Sequence, residues 1–297
     1  MIEVLLLSGS GVAAVAAGTV GLVLYPPLPR DLGGAPNLDR RARRVWIPLP
    51  EGDALDGWYL AGTRPAVIAL FHGYGRTHHR TWRYAAFLQR EGYHLLAVDF
   101  RSSRHRARKP TTLGHYEETD AEAALEWLLD RPDLAQVPIG FLGESLGASV
   151  ALQVAARRVE VSAVVADCAF ANAARALEDS CERWARLPRQ PSARLLRSLG
   201  RRLTGFDPGA VDTVTATTAL TERPVFFIHA LEDDRIAPEQ TEALWRAAGG
   251  KDPLWLIPGA GHNEGWRRQR RLYEERVRRF FALHLLGEGP GLPAGTL

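Results

Sequence analysis

Short apolar segments alternate with longer amphipathic segments from residue 65 to residue 285 of this chain. The apolar segments have the length of strands, and the segments between them have the length and periodicity of helices. The predicted strands are residues 66–71, 94–99, 137–142, 162–167, 224–229 and 254–257. The predicted helices are residues 82–91, 117–129, 146–157, 239–248 and 266–285. Such alternation predicts an α/β fold, with a mostly parallel sheet flanked by helices and a binding site at the carboxyl ends of the strands.

Two regions depart from this alternation. Strand-like segments at residues 44–49 and 54–60, separated by a turn sequence, predict an antiparallel hairpin at a sheet edge. Helical patterns at residues 173–186 and 192–203 follow each other with no strand between them. We predict that this insertion, about residues 171–221, is a helical lid over the binding site. The alternative is a peripheral helical pair that only packs against the domain.

The sequence Gly143-Glu144-Ser145-Leu146-Gly147 lies between a predicted strand and a predicted helix. It matches the G-x-S-x-G pattern of a nucleophile elbow, in which a sharp turn presents a serine at the end of a strand. Glycines flank the serine because a Cβ atom there would collide with the neighbouring strand and helix. In this context the motif predicts that Ser145 is a catalytic nucleophile and that the chain is a serine hydrolase.

A serine hydroxyl needs a base within hydrogen-bond reach, and the base needs a carboxylate that fixes its tautomer. In elbow folds these residues follow in the chain order Ser, acid, His. We predict Asp233 as the acid, in the loop after a predicted strand, with Asp234 and Glu232 as alternatives. We predict His262 as the base, because it follows the last predicted strand directly.

The oxyanion formed during attack needs two backbone N–H donors that are already in place. One donor is predicted to be the amide of Leu146, the residue after the nucleophile. The other is predicted to be the amide of Tyr74, in the glycine-rich turn His72-Gly73-Tyr74-Gly75 after the first long parallel strand. The alternative interpretation of that turn is a plain connection between strand and helix.

Composition limits the other classes of function. The chain has 297 residues, 46% of them hydrophobic, which suits one large α/β domain. The net charge is only +3, and basic residues are not interleaved with aromatic ones as in nucleic-acid binders. Cys168 and Cys181 are the only cysteines, and free thiols are favoured over a bridge. Neither a metal nor an organic cofactor is expected, and the oligomeric state is not predicted.

Residues 4–24 form an uncharged apolar run that would span about 30 Å as a helix, the thickness of a bilayer core. We therefore predict a membrane anchor at residues 1–25; the alternatives are a cleaved signal peptide and a helix packed on the domain. A linker at residues 26–43 leads to the domain at residues 44–286, followed by a flexible tail at residues 287–297. Arginines that follow the run predict a domain on the cytoplasmic side: Arg30, Arg40, Arg41, Arg43 and Arg44.

Residues from about 44 to 285 resemble the α/β-hydrolase superfamily, and most of all its Bem46-type and YqkD-like membrane-associated branch. The segments that carry the resemblance are Leu70-Phe71-His72-Gly73-Tyr74-Gly75, Ala97-Val98-Asp99-Phe100-Arg101, Gly143-Glu144-Ser145-Leu146-Gly147-Ala148, Val165-Ala166-Asp167-Cys168-Ala169-Phe170, His229 through Pro238, and Gly261-His262. The chain departs from the family at Ser102-Ser103, at Ala230 and at Cys168, where glycine, glycine and serine are more usual.

This resemblance implies a serine-dependent acyl hydrolase that acts through an acyl-enzyme on a small-molecule substrate. Carboxylic esters are the first choice of substrate, and lipid acyl esters, thioesters and peptides remain open. From a different class of function, the chain could be a catalytically silent, membrane-tethered binding module on the same fold.

Overall fold

A single twisted sheet runs through the part of the chain that the computed structural model describes, which is residues 21, 23–27, 41–103, 109–184, 186, 188–290 and 295–296. Its strands are β1 (Arg43–Pro48), β2 (Ala54–Leu60), β3 (Val67–Phe71), β4 (His94–Val98), β5 (Ile139–Glu144), β6 (Val161–Asp167), β7 (Val225–Ala230), β8 (Pro253–Ile257) and β9 (Gly295–Thr296). The helices are α1 (His78–Arg90), α2 (His115–Leu129), α3 (Leu146–Arg157), α4 (Ala173–Asp179), α5 (Arg189–Thr204), α6 (Thr213–Thr217), α7 (Pro238–Ala247), α8 (Gly265–Arg268) and α9 (Arg270–Leu286).

The strand order is β1-β2-β4-β3-β5-β6-β7-β8-β9. From β4 to β9 every neighbouring pair is parallel, whereas β1 and β2 pair antiparallel at one edge of the sheet. The predicted α/β fold and the predicted edge hairpin are therefore confirmed. Parallel order also brings the carboxyl ends of β3, β5, β6, β7 and β8 to the same edge, where their loops can meet.

Side chains of the strands alternate between two apolar layers, one on each face of the sheet. In β3, Val67, Ala69 and Phe71 belong to one layer, and Ile68 and Leu70 belong to the other. Helices α2 and α3 cover the first layer, and α1 and α9 cover the second. This burial on both faces explains why the central strands read as continuous apolar runs rather than as alternating ones.

The predicted helical insertion is observed between β6 and β7, where α4, a π-helical turn at Ser180–Trp184, α5 and α6 follow one another. The leucines of α5 are only partly buried. Leu196 and Leu199 are half-buried, whereas Leu195 and Leu203 are 50% and 65% exposed. The helix packs mainly on the rest of the insertion, and its small residues Ala193 and Gly200 are buried.

The predicted terminal segments are described only in part. Most of the apolar run at residues 4–24 lies outside the described residues, and no helix within those residues is both long enough and apolar enough to cross a bilayer. The linker predicted at residues 26–43 also lies largely outside them. In the predicted tail, Gly295 and Thr296 form β9, which pairs in parallel with β8. The two cysteines are free and buried.

Candidate active site

The turn at Ser145 joins the carboxyl end of β5 to the first residue of α3. Ser145 has φ 53° and ψ −117°, a conformation that non-glycine residues rarely adopt. The surrounding backbone leaves no room for side chains: a Cβ on Gly143 would lie 2.3 Å from Gly147 O, and a Cβ on Gly147 would lie 2.3 Å from Phe71 O. The Ser145 amide donates to Asp167 O at 2.7 Å, which fixes the turn to β6. The local structure is therefore the strained strand-to-helix turn that the motif predicts.

Three predicted side chains meet at this turn. His262 Nε2 lies 2.9 Å from Ser145 Oγ, and His262 Nδ1 lies 2.6 Å from Asp233 Oδ2. Asp233 lies in the loop after β7, and His262 lies in the loop after β8. Because an ionised carboxylate only accepts hydrogen bonds, Nδ1 carries the imidazole proton and Nε2 is free to accept the hydroxyl proton of the serine.

The loop after β7 holds the Asp233 carboxylate in one orientation. Asp233 is buried, and its Oδ1 accepts from the amides of Arg235 and Ile236 at 2.8 Å each. A second histidine, His229, approaches the other oxygen, with Nε2 3.3 Å from Oδ2. Burial opposes ionisation, but hydrogen bonds from His229 and His262 outweigh it and hold the pKa of Asp233 well below its usual range.

The two alternative acids lie elsewhere. Asp234 is exposed, and Glu232 Oε2 accepts from the amide of Ala260 at 3.0 Å. Asp233 is the acid that the structure brings to the imidazole, with Oδ2 2.6 Å from His262 Nδ1.

The turn after β3 brings the predicted Tyr74 amide to the same place. A Cβ on Gly73 would lie 3.3 Å from Ser145 Cβ, so the turn passes directly beside the serine. His72 Nδ1 donates to Gly73 O at 2.8 Å, and His72 Nε2 accepts from the amide of Phe100 at 3.1 Å. In a trans peptide the C=O and the following N–H point in opposite directions. The His72 ring therefore turns the Tyr74 N–H away from itself.

The other predicted donor is the amide of Leu146, the first residue of α3. An amide in the first turn of a helix has no acceptor within the helix, and it points along the positive end of the helix dipole. Leu146 and Tyr74 both line the cavity that contains Ser145 and His262. Both residues therefore lie beside Ser145, where their amides are candidates for oxyanion donors.

Replacement of His72 tests whether its ring orients the Tyr74 amide. We expect His72→Leu to lower kcat by roughly 10- to 100-fold with a smaller change in KM, because a misdirected donor loses part of the stabilisation of the oxyanion. We expect His72→Asn to keep more activity, since its side-chain amide can still donate to Gly73 O. Steady-state kinetics of the two variants checks this, and equal losses in both would contradict an orienting role.

The cavity at Ser145 is mainly apolar and has a volume of about 260 Å³. Its apolar walls come from the insertion, from α3 and from the loops around the site: Leu113, Leu146, Phe170, Ala173, Ala176, Leu177, Leu196 and Ile236. Three arginines, Arg76, Arg80 and Arg235, add positive charge. A wider groove of about 480 Å³ lies at His115, Phe206 and Asp212. It includes neither Ser145 nor His262.

The sequence did not predict the interaction of Arg80 with Glu144 at the site. Glu144, buried at the end of β5, accepts from Arg80 Nε at 3.4 Å, and Arg80 also donates to Asn263 O at 3.1 Å. Arg80 therefore connects the residue before the serine to the residue after His262. The sequence does place Glu144 at the end of an apolar strand. Because a buried carboxylate needs a partner, this could have indicated a buried interaction with a donor.

Three potential metal ligands have their ligand atoms within 4.8 Å of one another among the described residues: Cys168, His229 and Asp233. Their atoms are already engaged, since Asp233 accepts several hydrogen bonds and His229 also contacts Thr241 Oγ1 at 2.7 Å. Burial raises the pKa of the Cys168 thiol well above its usual value, whereas a metal ligand must be a thiolate. The group fits a hydrogen-bond network behind Asp233 better than a metal centre.

Asp167, whose carbonyl accepts from the Ser145 amide, has a buried carboxyl group with a raised pKa. Desolvation by burial raises the pKa to about 6, although Tyr273 donates to Oδ2 at 2.9 Å. In the unfolded chain the pKa is about 3.9. Between these two pKa values the Asp167 carboxyl is protonated in the folded state and ionised in the unfolded state. The free energy of unfolding therefore falls as pH rises from about 4 to about 6, by about 3 kcal/mol at most.

We therefore expect Asp167→Asn to become more stable relative to the wild type between pH 4 and pH 6, with a constant difference above pH 6. Urea denaturation at pH 4.5 and pH 7 measures this, with Asp234→Asn as an exposed control. A difference in stability that is the same at both pH values would contradict the raised pKa.

Comparison with known proteins places the chain in a family. A family model of the alpha/beta hydrolase family matches residues 67–283, so the chain belongs to the α/β-hydrolase family. It is 28% identical over 280 residues to the uncharacterized protein Rv2307c of Mycobacterium tuberculosis, covering 91% of this chain and 92% of that protein. It is 27% identical over 237 residues to the uncharacterized protein YqkD of Bacillus subtilis, covering 79% and 77%.

Among solved structures, the chain is similar to the esterase Pf2001 of Pyrococcus furiosus, with a TM-score of 0.73 and 24% identity. The match covers 87% of this chain and 98% of the esterase. At this identity the similarity shows the fold alone. Family and fold together support a hydrolase, as the sequence predicts.

Proposed function

We propose that the protein is a serine hydrolase that cleaves an acyl bond, with a carboxylic ester as the preferred substrate. The observation that carries this proposal is the continuous hydrogen-bonded relay from Ser145 Oγ through His262 to Asp233, with distances of 2.9 Å and 2.6 Å. A relay of this geometry can remove the hydroxyl proton at neutral pH, which an isolated serine cannot lose.

In the proposed reaction, Ser145 Oγ attacks the carbonyl carbon of the ester while His262 Nε2 takes the hydroxyl proton. The carbonyl oxygen becomes an oxyanion, which the amides of Tyr74 and Leu146 would stabilise. Asp233 keeps Nδ1 protonated and stabilises the imidazolium.

Collapse of the intermediate breaks the bond to the alcohol oxygen, and the alcohol leaves with the proton from His262. This leaves an acyl group on Ser145. Water then attacks the acyl-enzyme with His262 as base, and the products are a carboxylic acid and the free serine.

The cavity supports an acyl chain as the main recognition element. Most of its lining is apolar, and burial of each methylene group contributes about 0.8 kcal/mol. The helical insertion supplies part of the wall through Leu177 and Leu196, which supports its proposed role as a lid. Thioesters and peptides have the same electrophilic carbonyl and are tested as further substrates.

Hydrolysis of p-nitrophenyl esters of graded chain length tests the proposal, with wild type compared with Ser145→Ala. We expect release of p-nitrophenol by the wild type, with a loss of at least about 10³-fold in the variant. If the wild type cleaves no ester, the same comparison with acyl thioesters and peptides decides between the remaining substrates. Absence of turnover on all three would favour a silent binding module.

We also propose that the apolar N-terminal run, within residues 1–25, attaches the protein to a membrane, with the catalytic domain on the cytoplasmic side. The proposal rests on the uncharged apolar run and the arginines that follow it. We expect the full chain to sediment with membranes and a chain lacking residues 1–20 to remain in the soluble fraction. Protease protection in sealed vesicles tests the orientation. Equal sedimentation of both chains would contradict the attachment.

A further inference from the structure

The segment that precedes the catalytic domain contacts the active site. Val23 lines the same cavity as Ser145 and His262. The next residues are fixed to the domain, because Leu24 is buried and its carbonyl accepts from the amide of Thr111 at 2.9 Å. A simple flexible tether is not expected to line the catalytic cavity, so this segment has a more specific placement.

Tyr74 holds this segment against the turn after β3. Its hydroxyl donates to Val23 O at 2.7 Å, and its backbone amide is one of the two proposed oxyanion donors. The contact continues along the turn, where a Cβ on Gly75 would lie 3.1 Å from Pro26 Cβ. Two successive residues of the turn, Tyr74 and Gly75, are thus in contact with the preceding segment.

The cavity surface at Val23 is apolar and suits a hydrocarbon chain. Val23 has no polar side-chain atom, and its carbonyl oxygen is already occupied by the Tyr74 hydroxyl. The other apolar lining residues, such as Leu177 and Leu196 of the insertion, share this cavity with it. A chain that fills the cavity therefore has Val23 among its apolar contacts.

We propose that Val23, held in place by the contacts of Leu24 and Pro26 with the domain, forms part of the wall of the acyl-binding cavity and is a specificity-determining residue for acyl chain length. This inference rests on the proposed function, since it names what the cavity beside Ser145 binds. It assigns to the segment before the domain a part in substrate selection, in addition to any role in membrane attachment.

The test uses alkyl fluorophosphonates with short and long alkyl chains, so that it does not depend on the identity of the natural substrate. The labelling rate constant of Ser145 is measured for each reagent, and the ratio of the long-chain to the short-chain rate is the readout. In the full-length protein we expect Val23→Trp to lower this ratio by roughly tenfold or more, because the added ring occupies space that a long chain would fill.

Tyr25→Trp is the control, because it also places a tryptophan in this segment, at a side chain that is 43% exposed and does not line the cavity. We expect it to leave the ratio unchanged. Tyr74→Phe removes the hydroxyl that donates to Val23 O, and we expect it to shift the ratio by roughly threefold. If Val23→Trp fails to fold, Val23→Ala tests the same wall, with a ratio that differs from the wild-type value.

Each outcome has a distinct meaning. If the wild type is labelled and the ratio is the same in the wild type, Val23→Trp and Val23→Ala, the wall is contradicted and the proposed function stands. If the wild type is not labelled by either reagent, the proposed function fails and the wall fails with it. An equal shift in Val23→Trp and Tyr25→Trp would also overturn the proposal, since it would indicate a general effect on the segment.

Discussion

Asp233→Asn is expected to lower kcat by about 10⁴-fold while the protein stays folded. The asparagine side-chain oxygen can still accept from the amides of Arg235 and Ile236, so the loop after β7 keeps its hydrogen bonds. The side-chain NH₂ group, however, would face His262 Nδ1, which is a donor in the wild type. The imidazole would then adopt the other tautomer, with its proton on Nε2, and could not accept the proton of Ser145.

Steady-state kinetics and thermal unfolding of Asp233→Asn check this expectation. Asp234→Asn is the matched control, because it makes the same chemical change at the next residue, whose side chain is exposed. We expect the control to change kcat by less than about twofold. Comparable losses in both variants, or activity in Asp233→Asn within tenfold of the wild type, would contradict the role of Asp233.

Gly147→Ala has the second largest expected effect, and it acts through the backbone. The new Cβ would lie 2.3 Å from Phe71 O and 2.7 Å from His72 O, and both are backbone atoms that no side-chain rotation can move. Either α3 or the turn after β3 must shift, and each carries one proposed oxyanion donor. We expect stability to fall by roughly 2–4 kcal/mol and kcat to fall by at least about 100-fold.

Urea denaturation and kinetics of Gly147→Ala measure the two losses. Gly205→Ala is the control, because it adds the same methyl group at a position with open space around it. Gly205 has φ +74°, so we expect the control to cost only about 1 kcal/mol of backbone strain, with wild-type activity. Wild-type stability and activity in Gly147→Ala would mean that the tight approach of α3 to β3 is not required.

The parts of the account that sequence could predict depend on local patterns. The alternation of apolar and amphipathic segments follows from burial on both faces of a parallel sheet, so it gives the fold class directly. The residues around Ser145 specify the elbow because only glycine fits beside it. Asp233 and His262 could be predicted because each lies in a loop that follows a strand, and parallel strands bring such loops to the same edge. Their catalytic roles stay predictions until they are tested.

The parts that sequence could not predict depend on contacts between distant residues. Nothing in the local pattern around Val23 indicates that its carbonyl is bound by the hydroxyl of Tyr74. Likewise, the pairing of Arg80 with Glu144 needs the position of α1 relative to β5, which strand and helix periodicity does not give. The helical pattern of α5 also does not show which residues pack: Leu195 and Leu203 are exposed, whereas Ala193 and Gly200 are buried.

The central claim is that Ser145 is a nucleophile activated by His262, and covalent labelling tests it most directly. The wild-type protein is incubated with a fluorophosphonate, and the modified residue is identified by peptide mass spectrometry. We expect one adduct, on Ser145, which is absent in Ser145→Ala and forms at least about 10³-fold more slowly in His262→Gln. An unlabelled wild type, or an adduct at another residue that persists in Ser145→Ala, would contradict it.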